Sequence, residues 1–417
     1  MLNVSAALRR AMECNEDRTA IIAGDVKLTF KQAWRRGCQL ANALIDMGLQ
    51  PGDKIAVLED NCLEAADFFL ASAIGNFVRV PLYRRNSAIA HSHMIGHTDC
   101  RAVVVSEEYT HEVISCKDEL EGLKHVIVRG ADYEDWLSQQ SDIEPDLIID
   151  INEPHLIRHS GGTTGRSKGM QFSHKQWMRT CRDWSFFLPR MEAGDYGIHV
   201  GPISHGSGYL FMPIWLAGGC NLLVQKFEPN VFASLLETHG GFTFAVPTML
   251  SDMVAATTDK KDFSKLRGIM VSGAPIQPAT ALQARDFFGD VLYQLYGQFY
   301  AVQSQYTNAI PWFEKAVEHG YLNLPGEIQT RSNLAAAYFQ AGEYKQSIET
   351  LLKTQEIGMK RGIDLSASNF VMLGMAYYQL KELPNAYKYI SKGNDVSNEF
   401  NEDWLQYEFG LAVKLEK

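Results

Sequence analysis

The sequence predicts an α/β domain over residues 1–297, followed by an all-α solenoid of repeats over residues 298–417. Three observations lead to this fold class. Between Ile21 and about Leu295, short apolar runs typical of strands alternate with amphipathic stretches typical of helices, which indicates a largely parallel sheet with helices on both faces. After about Gln298 the strand pattern stops. The rest has a helical pattern that repeats every 38 or 39 residues.

The α/β region contains a series of apolar segments of strand length. In chain order they are KIAVLED, FVRVPLY, RAVVVSE, KHVIVRG, YGIHVGPI, CNLLVQK, FTFAVP, LRGIMVSG and VLYQLYG. The segments FKQAWRRGCQLANALIDMG and EAADFFLASAIG predict helices. The first of these helices should end at Gly48, before the turn at Pro51 and Gly52.

The all-α region repeats four positions in register: a small residue, a tyrosine, a second small residue and an apolar residue. The sets are Gly297, Ala335 and Gly374; Tyr300, Tyr338 and Tyr377; Ala309, Ser347 and Ala386; and Phe313, Leu351 and Ile390. Small residues on facing helices predict close antiparallel packing. An ordinary amphipathic bundle is the alternative, and three copies in register favour repeats.

This pattern resembles the tetratricopeptide repeat, a resemblance that implies a peptide or protein partner in a concave groove. Because the period exceeds the usual 34 residues of that repeat, we expect longer loops between helices, with GYLNLPGEI as one of them. The tail NEDWLQYEFGLAVKLEK is expected to be a capping helix or a shortened fourth repeat.

Composition narrows the function classes. The net charge of -10 disfavours nucleic acid as a partner. The seven cysteines all lie at or before Cys220 and form no C-x-x-C pair, which disfavours a zinc ribbon or a disulfide framework and suits a reducing compartment. The first twenty residues have no apolar core of signal-peptide length, and no apolar run is long enough to span a membrane. We therefore expect a cytoplasmic protein.

The segment RHSGGTTGRSKGMQFSH, residues 158–174, is the one most informative about chemistry. Its glycines let backbone N–H groups approach phosphate oxygens, its hydroxyls donate further hydrogen bonds, and Lys168 can neutralise phosphate charge. It is not a Walker A loop, because Lys168 precedes Gly169, and it is not G-x-G-x-x-G, because Ser160 stands at the first glycine position. A flexible polar loop is the alternative interpretation.

These residues resemble the phosphate loop of the adenylate-forming (AMP-binding) superfamily. The matching positions are Ser160, Gly162, Thr163, Thr164, Gly165, Lys168 and Gly169, whereas Gly161 and Ser167 depart from the pattern. Three later segments agree: GPISHGSGY, with His205 at the motif histidine; VSGAPI, with Gly273, Ala274 and Pro275; and YGQ, with Tyr296. The resemblance covers about residues 3–298 and is strongest to acyl- and aryl-CoA ligases.

The resemblance implies a two-step reaction: a fatty or aryl carboxylate attacks ATP to give an acyl-adenylate, and coenzyme A then displaces AMP. It also implies roles for residues. Thr163, Thr164 and Lys168 would hold the phosphates, Gly273–Pro275 would line the adenine, and Tyr296 would stack on it. His205 would lie beside the acyl carboxylate, which makes His205 and Lys168 the catalytic candidates. A packed structural histidine is the alternative for His205.

The chain also departs from the family pattern. Phe299 and Tyr300 stand where the family has a threonine and a glutamate that helps to hold Mg²⁺, so no metal ligand is expected there. No R-T-G-D segment and no match to the family's small C-terminal domain, with its lysine, are found. We therefore expect impaired catalysis and leave coenzyme A open. A non-catalytic interaction protein and a chimeric gene product are the alternatives.

Two further expectations concern the junction and the histidines. The strand at the junction should continue to about Leu295, and a helix should begin near Gln298. In HSHMIGH, which contains His91, His93 and His97, the histidines are expected to be structural, since the sequence shows no acidic partner for a metal site. His155 and His159 are likewise expected to be structural.

Overall fold

The structure is a computed structural model that describes residues 2–159, 167–257, 259, 261–274, 276–294, 306–318, 324–360, 362 and 365–396. The chain divides into two compact units, residues 1–294 and residues 295–417. No helix in the described part of the chain is both long and apolar enough to cross a membrane.

The first unit is an α/β domain. Its strands are β1 (Thr19–Ala23), β2 (Val26–Thr29), β3 (Lys54–Leu58), β4 (Val78–Pro81), β5 (Ala102–Ser106), β6 (His125–Arg129), β7 (Pro154–His159), β8 (Gly169–Ser173), β9 (Tyr196–His199), β10 (Cys220–Leu223), β11 (Gly241–Ala245), β12 (Leu266–Val271) and β13 (Leu292–Gln294). Its α-helices are α1 (Val4–Cys14), α2 (Phe30–Asp46), α3 (Leu63–Ile74), α4 (Ala88–His97), α5 (Thr110–Ile114), α6 (Tyr133–Ser138), α7 (His174–Phe187), α8 (Gly208–Leu216), α9 (Pro229–His239), α10 (Pro247–Ala256) and α11 (Pro278–Phe288). Two short 3₁₀ helices lie at Glu107–Tyr109 and Lys117–Glu119.

These strands form two sheets. One has the order β13-β12-β11-β9-β10-β1-β2 and the other the order β6-β5-β3-β4-β7-β8. Neighbouring strands are parallel except for β1–β2 and β7–β8, which are antiparallel pairs at one edge of each sheet. All nine predicted strand segments form strands, so the prediction of a largely parallel α/β fold is confirmed. The nine segments did not include β1, β2, β7 and β8, and the antiparallel pairs β1–β2 and β7–β8 make both sheets mixed.

Alternating side chains on β3 show how the six-stranded sheet is covered. Ile55 and Val57 belong to the largest core cluster, which also contains residues of helices α1, α2, α3, α7 and α8 and of the other sheet. Ala56 and Leu58 point to the opposite face and pack in a second cluster with Met94 of α4. Helices therefore cover both faces of this sheet, as predicted, and one helical layer lies between the two sheets.

The described part of the second unit is helical. Its helices are α12 (Tyr306–Glu318), α13 (Leu324–Gln340), α14 (Tyr344–Met359), α15 (Ala367–Gln379) and α16 (Leu383–Val396). Consecutive helices pack against each other. On α15, a Cβ added at Gly374 would lie 2.8 Å from the Ala386 carbonyl oxygen and 2.6 Å from the Ile390 side chain of α16. The Ser347 hydroxyl of α14 donates a hydrogen bond of 2.9 Å to the Ala335 carbonyl of α13. The predicted close packing of helices at small residues is thus confirmed.

One loop prediction was wrong. Residues 324–328 of the expected loop GYLNLPGEI form the first turns of α13 instead. A proline is tolerated in the first turn of a helix, because the first N–H groups of a helix lack intrahelical partners. Pro325 and Gly326 therefore did not mark a loop.

The junction is described on one side only. The strand β13 is described up to Gln294, and its predicted end at about Leu295 lies outside the described residues. The predicted helix start near Gln298 and the predicted capping helix in the tail both lie outside the described residues.

Candidate functional site

Several candidate residues follow the carboxyl ends of parallel strands. Asn61 follows β3, the glycine-rich segment follows β7, His205 follows β9, and Gly273 follows β12. Ligands of open α/β sheets bind outside the carboxyl ends of their strands. The candidate site is therefore built at these ends, where a side chain from one sheet holds a loop of the other.

That side chain is Asn61, which is 4% exposed. Its amide nitrogen donates hydrogen bonds to the carbonyl oxygens of His199 at 3.0 Å and Gly201 at 2.7 Å. Its amide oxygen accepts a hydrogen bond of 2.9 Å from the backbone N–H of Ile203. Asn61 thus fixes the loop that leads from β9 to His205. The sequence analysis did not single it out, although Asn61 directly follows the predicted strand segment KIAVLED.

His205 lies in the turn before α8 and is half-buried. Its Nδ1 lies 2.9 Å from the Ser204 hydroxyl, and its ring packs against Tyr83 with centroids 5.1 Å apart. Burial, and then the positive charges of Arg158 and Arg79, lower the pKa of His205 to about 3. The imidazole is therefore neutral at pH 7, and it can take part in hydrogen bonds as both a donor and an acceptor.

Arg158 connects the strand before the glycine-rich segment to the His205 loop. Its guanidinium donates a hydrogen bond to the His205 carbonyl oxygen. The same guanidinium lies over the rings of Tyr209, at 4.5 Å, and Trp177, at 5.8 Å. Both rings provide cation–π contacts, which hold the side chain in place. The two segments that carry the phosphate-loop and histidine motifs are therefore joined by one side chain.

Lys168 lies directly before β8, which forms an antiparallel ladder with β7. Next to it, the carbonyl oxygen of Ser167 lies 3.1 Å from Nε2 of His93 on α4. This contact fixes the end of the glycine-rich segment, and sequence reasoning gave His93 no such role. Ser160, Gly162, Thr163, Thr164 and Gly165, which were predicted to bind phosphate, lie outside the described residues.

The predicted adenine segment follows β12. Gly273 and Ala274 are exposed. Gly273 has a φ of +89°, which residues with a side chain rarely adopt, and an added Cβ would lie 3.1 Å from Val246. A flat ring could therefore lie against this backbone. Pro275 and Tyr296, the other predicted adenine contacts, lie outside the described residues.

The histidines of α4 have a partner that the sequence did not reveal. Nδ1 of His91 lies 2.7 Å from a carboxylate oxygen of Glu112, and Nε2 lies 3.0 Å from the Tyr83 carbonyl oxygen. The expectation of no acidic partner was therefore wrong. His93 and His97 stack on each other with centroids 5.4 Å apart. Among the described residues, no group of three or more His, Cys, Asp or Glu side chains is arranged to hold a metal ion.

Comparison with known proteins gives consistent results. The family model described as "AMP-binding enzyme" matches residues 8–298. Feruloyl-CoA synthase of Amycolatopsis sp is 26% identical over 262 residues, which are 62% of this chain and 52% of that protein. A medium/long-chain-fatty-acid CoA ligase of Mycobacterium tuberculosis is 22% identical over 309 residues, 69% of this chain and 53% of that protein. The chain thus spans about half the length of the curated relatives it matches.

The fold of an anthranilate CoA ligase in complex with anthranoyl-AMP is similar, with a TM-score of 0.64 and 20% identity over 70% of this chain and 59% of that chain. An inhibitor-bound N-terminal domain from Mycobacterium tuberculosis, named FACL13, has a TM-score of 0.66 and 20% identity over 71% of this chain and 76% of that chain. At these identities the likeness concerns the fold.

Proposed function

Because the chain belongs to the AMP-binding enzyme family, we propose that its first unit binds ATP and a carboxylic acid and is built to join them as an acyl-adenylate. The observation that carries this proposal is the contact of Arg158 with the His205 carbonyl, which joins the strand before the glycine-rich segment to the loop of the histidine motif. The fatty or aryl class of the acid is supported by the names of the relatives.

In the proposed reaction, a carboxylate oxygen of the acid attacks the α-phosphorus of ATP. A new O–P bond forms between the acid and the α-phosphorus. The bond from the α-phosphorus to the oxygen that bridges to the β-phosphorus breaks, and pyrophosphate leaves with its electron pair. Negative charge grows on the phosphoryl oxygens, so positioned donors and cations lower the barrier. Lys168 would supply one cation. His205, neutral at pH 7, would contribute a hydrogen bond to the acid without repelling or protonating it.

We further propose that this chain catalyses the reaction poorly. The family's magnesium carboxylate is replaced by Tyr300, and the preceding threonine by Phe299. A phenyl ring cannot ligate a hard cation, and a neutral phenol is a poor substitute for a carboxylate. The loss of one electrostatic contact commonly costs about 3 kcal/mol of barrier, roughly a hundredfold in rate. Coenzyme A as the final acceptor is supported only by the names of the relatives.

Nucleotide binding tests the first part of the proposal. A fluorescent ATP analogue should bind the full chain, and Lys168→Ala should weaken its binding roughly 10- to 100-fold, because a hydrogen bond to a charged group contributes about 1.5–3 kcal/mol. Lys175→Ala, seven residues away on α7, is the matched control and should bind like the wild type. Equal binding by both variants would remove Lys168 from the site, and no binding to the wild type would refute the proposal.

ATP–pyrophosphate exchange tests the second part. The wild-type chain should exchange slowly with any acid, and the double variant Phe299→Thr/Tyr300→Glu should exchange faster. Fast exchange by the wild type would show that the family's threonine and glutamate are dispensable here, and the proposal of impaired catalysis would then be wrong.

For the second unit, we propose that its helices are tetratricopeptide repeats that bind a peptide. The supporting observation is the exposure of large side chains on its last two described helices: Tyr378 is 38%, Leu383 57% and Tyr387 63% exposed. Exposed aromatic side chains are typical of binding surfaces. Peptides selected on the full chain should lose binding to a Tyr378→Ser/Tyr387→Ser variant and keep it with Lys388→Ser. Unchanged binding to the double variant would contradict this proposal.

A further inference from the structure

Two arginines lie side by side between the two sheets of the first unit. Arg79 of β4 stands opposite Leu156 of β7 in the parallel ladder. Arg158 is two residues beyond Leu156 on the same strand, so it points to the same face about 7 Å nearer the carboxyl end. Leu156 belongs to the core between the sheets, and both guanidiniums therefore enter this layer.

The layer around these arginines is apolar. Arg79 is 3% exposed, and its guanidinium carbon lies 4.1 Å from the ring centre of Phe69. The Arg158 guanidinium lies over Tyr209 and Trp177. Cys181 of α7 is buried close by, and burial raises the pKa of its thiol to about 12, although the two arginines oppose this shift. The thiol is therefore neutral at pH 7 and cannot balance their charge.

Neither arginine has a carboxylate partner in the described part of the chain. Nε of Arg79 and Nε of Arg158 are both buried without a hydrogen-bond partner there. Each positive charge opposes the other, and burial together with this repulsion lowers the pKa of Arg79 to about 9. Buried charges in proteins are normally paired, because removing an ion from water without compensation is strongly unfavourable.

The same unit pairs two other largely buried arginines with carboxylates, although Nε of one of them, Arg129, also lacks a hydrogen-bond partner. Arg36 forms paired hydrogen bonds with Asp67, at 2.8 and 2.7 Å, and with Glu134, at 2.7 Å for both. Arg129, 7% exposed, forms an ion pair with Glu59. By contrast, Arg79 and Arg158 form a cationic pair whose counter-charge the described residues do not supply. A ligand that enters this layer with a carboxylate would supply it.

We propose that Arg79 and Arg158 bind the second carboxylate of a dicarboxylic acid substrate. The inference rests on the proposed function, in which the first carboxylate lies at His205 near the phosphates. Arg158 touches the His205 loop, whereas Arg79 lies about 7 Å deeper along the sheet, away from the carboxyl ends where ATP would react. A group held there is remote from the reacting carboxylate. The planar fork of a guanidinium fits a carboxylate with two parallel hydrogen bonds. The inferred acid is therefore charged at both ends, and it differs from the fatty or aryl acid that the names of the relatives support.

Binding of matched acids to the full chain, without nucleotide, tests this inference. The probes are succinate, glutarate and adipate, each paired with the monoacid of equal length: butyrate, valerate and hexanoate. Calorimetry measures affinity, and the fluorescence of Trp177 reports on the site. At least one dicarboxylate should bind ten or more times more tightly than its monoacid. Arg79→Gln should abolish this preference and Arg79→Lys should retain part of it. Arg101→Gln, at an arginine with 49% side-chain exposure, is the control and should keep the preference in full.

Thermal denaturation gives a second measurement. Without acid, Arg79→Met should raise the unfolding midpoint of the first unit, since it removes an unpaired buried cation. Arg36→Met should lower this midpoint, since it leaves the carboxylates of Asp67 and Glu134 without their arginine partner. The preferred dicarboxylate should raise the midpoint of the wild type and not that of Arg79→Met. A preference that survives in Arg79→Gln, its absence from the wild type, or a lowered midpoint for Arg79→Met would overturn the inference.

Failure of this inference can be told apart from failure of the proposed function. The acid measurements contain no nucleotide, and binding of the ATP analogue depends on Lys168. A chain that binds the analogue but prefers no dicarboxylate overturns only the inference. A chain that prefers a dicarboxylate but binds no analogue overturns the proposed function and leaves the arginine site in place.

Discussion

Asn61 offers the sharpest test of how the candidate site is held together. In Asn61→Ala, the Gly201 carbonyl and the Ile203 N–H lose the hydrogen bonds that Asn61 makes with them. The His199 carbonyl stays paired, because it also accepts a bond of 2.8 Å from the Val224 N–H. Each buried group left unpaired costs about 1–3 kcal/mol, so the variant should be destabilised by roughly 2–6 kcal/mol.

Asn42 provides a matched control. Its amide nitrogen also donates to two carbonyl oxygens, Ser141 at 2.7 Å and Ile143 at 2.8 Å. These bonds lie at the surface, where water replaces a lost partner. Asn42→Ala should therefore cost less than about 1 kcal/mol. Both asparagines donate two bonds to carbonyl oxygens, and Asn61 accepts one more, so the contrast reports burial together with that one additional bond.

The assay is denaturant unfolding of the full chain, followed by tryptophan fluorescence. Trp177 and Trp215 are fully buried in the first unit and report its transition. Asn61→Ala should shift this transition to lower denaturant, with an unchanged slope, and leave the far-ultraviolet signal of the helical unit in place. The variant should also bind acid more weakly, because the loop of His205 is released. If Asn61→Ala costs no more than Asn42→Ala, Asn61 does not fix the loop.

Three further predictions concern burial and close packing. Burial holds the pKa of His199 at about 4, below its ordinary value near 6.5, so the contribution of His199 to the unfolding free energy should be constant above about pH 6.5 and fall by about 3 kcal/mol as the pH drops to 4; other buried histidines, such as His205, add to the total loss, and unfolding measured across this range should show a smaller loss in His199→Gln. Gly374→Ala places a methyl group 2.8 Å from the Ala386 carbonyl and should destabilise the second unit by about 1–3 kcal/mol, measured by circular dichroism; no loss would contradict the packing of α15 on α16. In the His205 turn, Gly208→Ala meets the Ile203 carbonyl at 2.1 Å, whereas Gly206→Ala meets the movable ring of Phe244 at 2.8 Å, so Gly208→Ala should lower the unfolding midpoint more than Gly206→Ala.

The sequence predicted the strands well where burial on both faces enforced a continuous apolar run. The strand β8 escaped prediction because it is an edge strand, and Gly169, Met170 and Gln171 are exposed, so no apolar run marks it. The prediction of a loop at residues 324–328 was wrong for another reason. Proline and glycine interrupt a helix in its interior but fit its first turn, and local sequence does not reveal which position they occupy.

The site was predictable only in part. His205 and Lys168 stand in motifs whose spacing is local, so the sequence could single them out. The roles of Arg79 and Arg158 depend on the register between β4 and β7, which are 79 residues apart at these positions. Register is set by tertiary packing and turn geometry rather than by any local pattern. The role of Asn61 likewise depends on tertiary packing, since its hydrogen-bond partners lie about 140 residues away along the chain.

The buried arginines also bear on the choice between a ligand-binding unit and a scaffold. A scaffold gains stability from an apolar or fully paired core, and the Arg36–Asp67 and Arg129–Glu59 pairs show that this unit can pair buried guanidiniums. An unpaired cation at Arg79 lowers the stability of a scaffold, and a scaffold has no function that requires this cation. In a binding unit the same cation has a use, because groups placed to meet a ligand remain uncompensated until the ligand arrives. The midpoint of Arg79→Met therefore separates the two interpretations without any knowledge of the acid: a rise favours the binding unit, and a fall favours the scaffold.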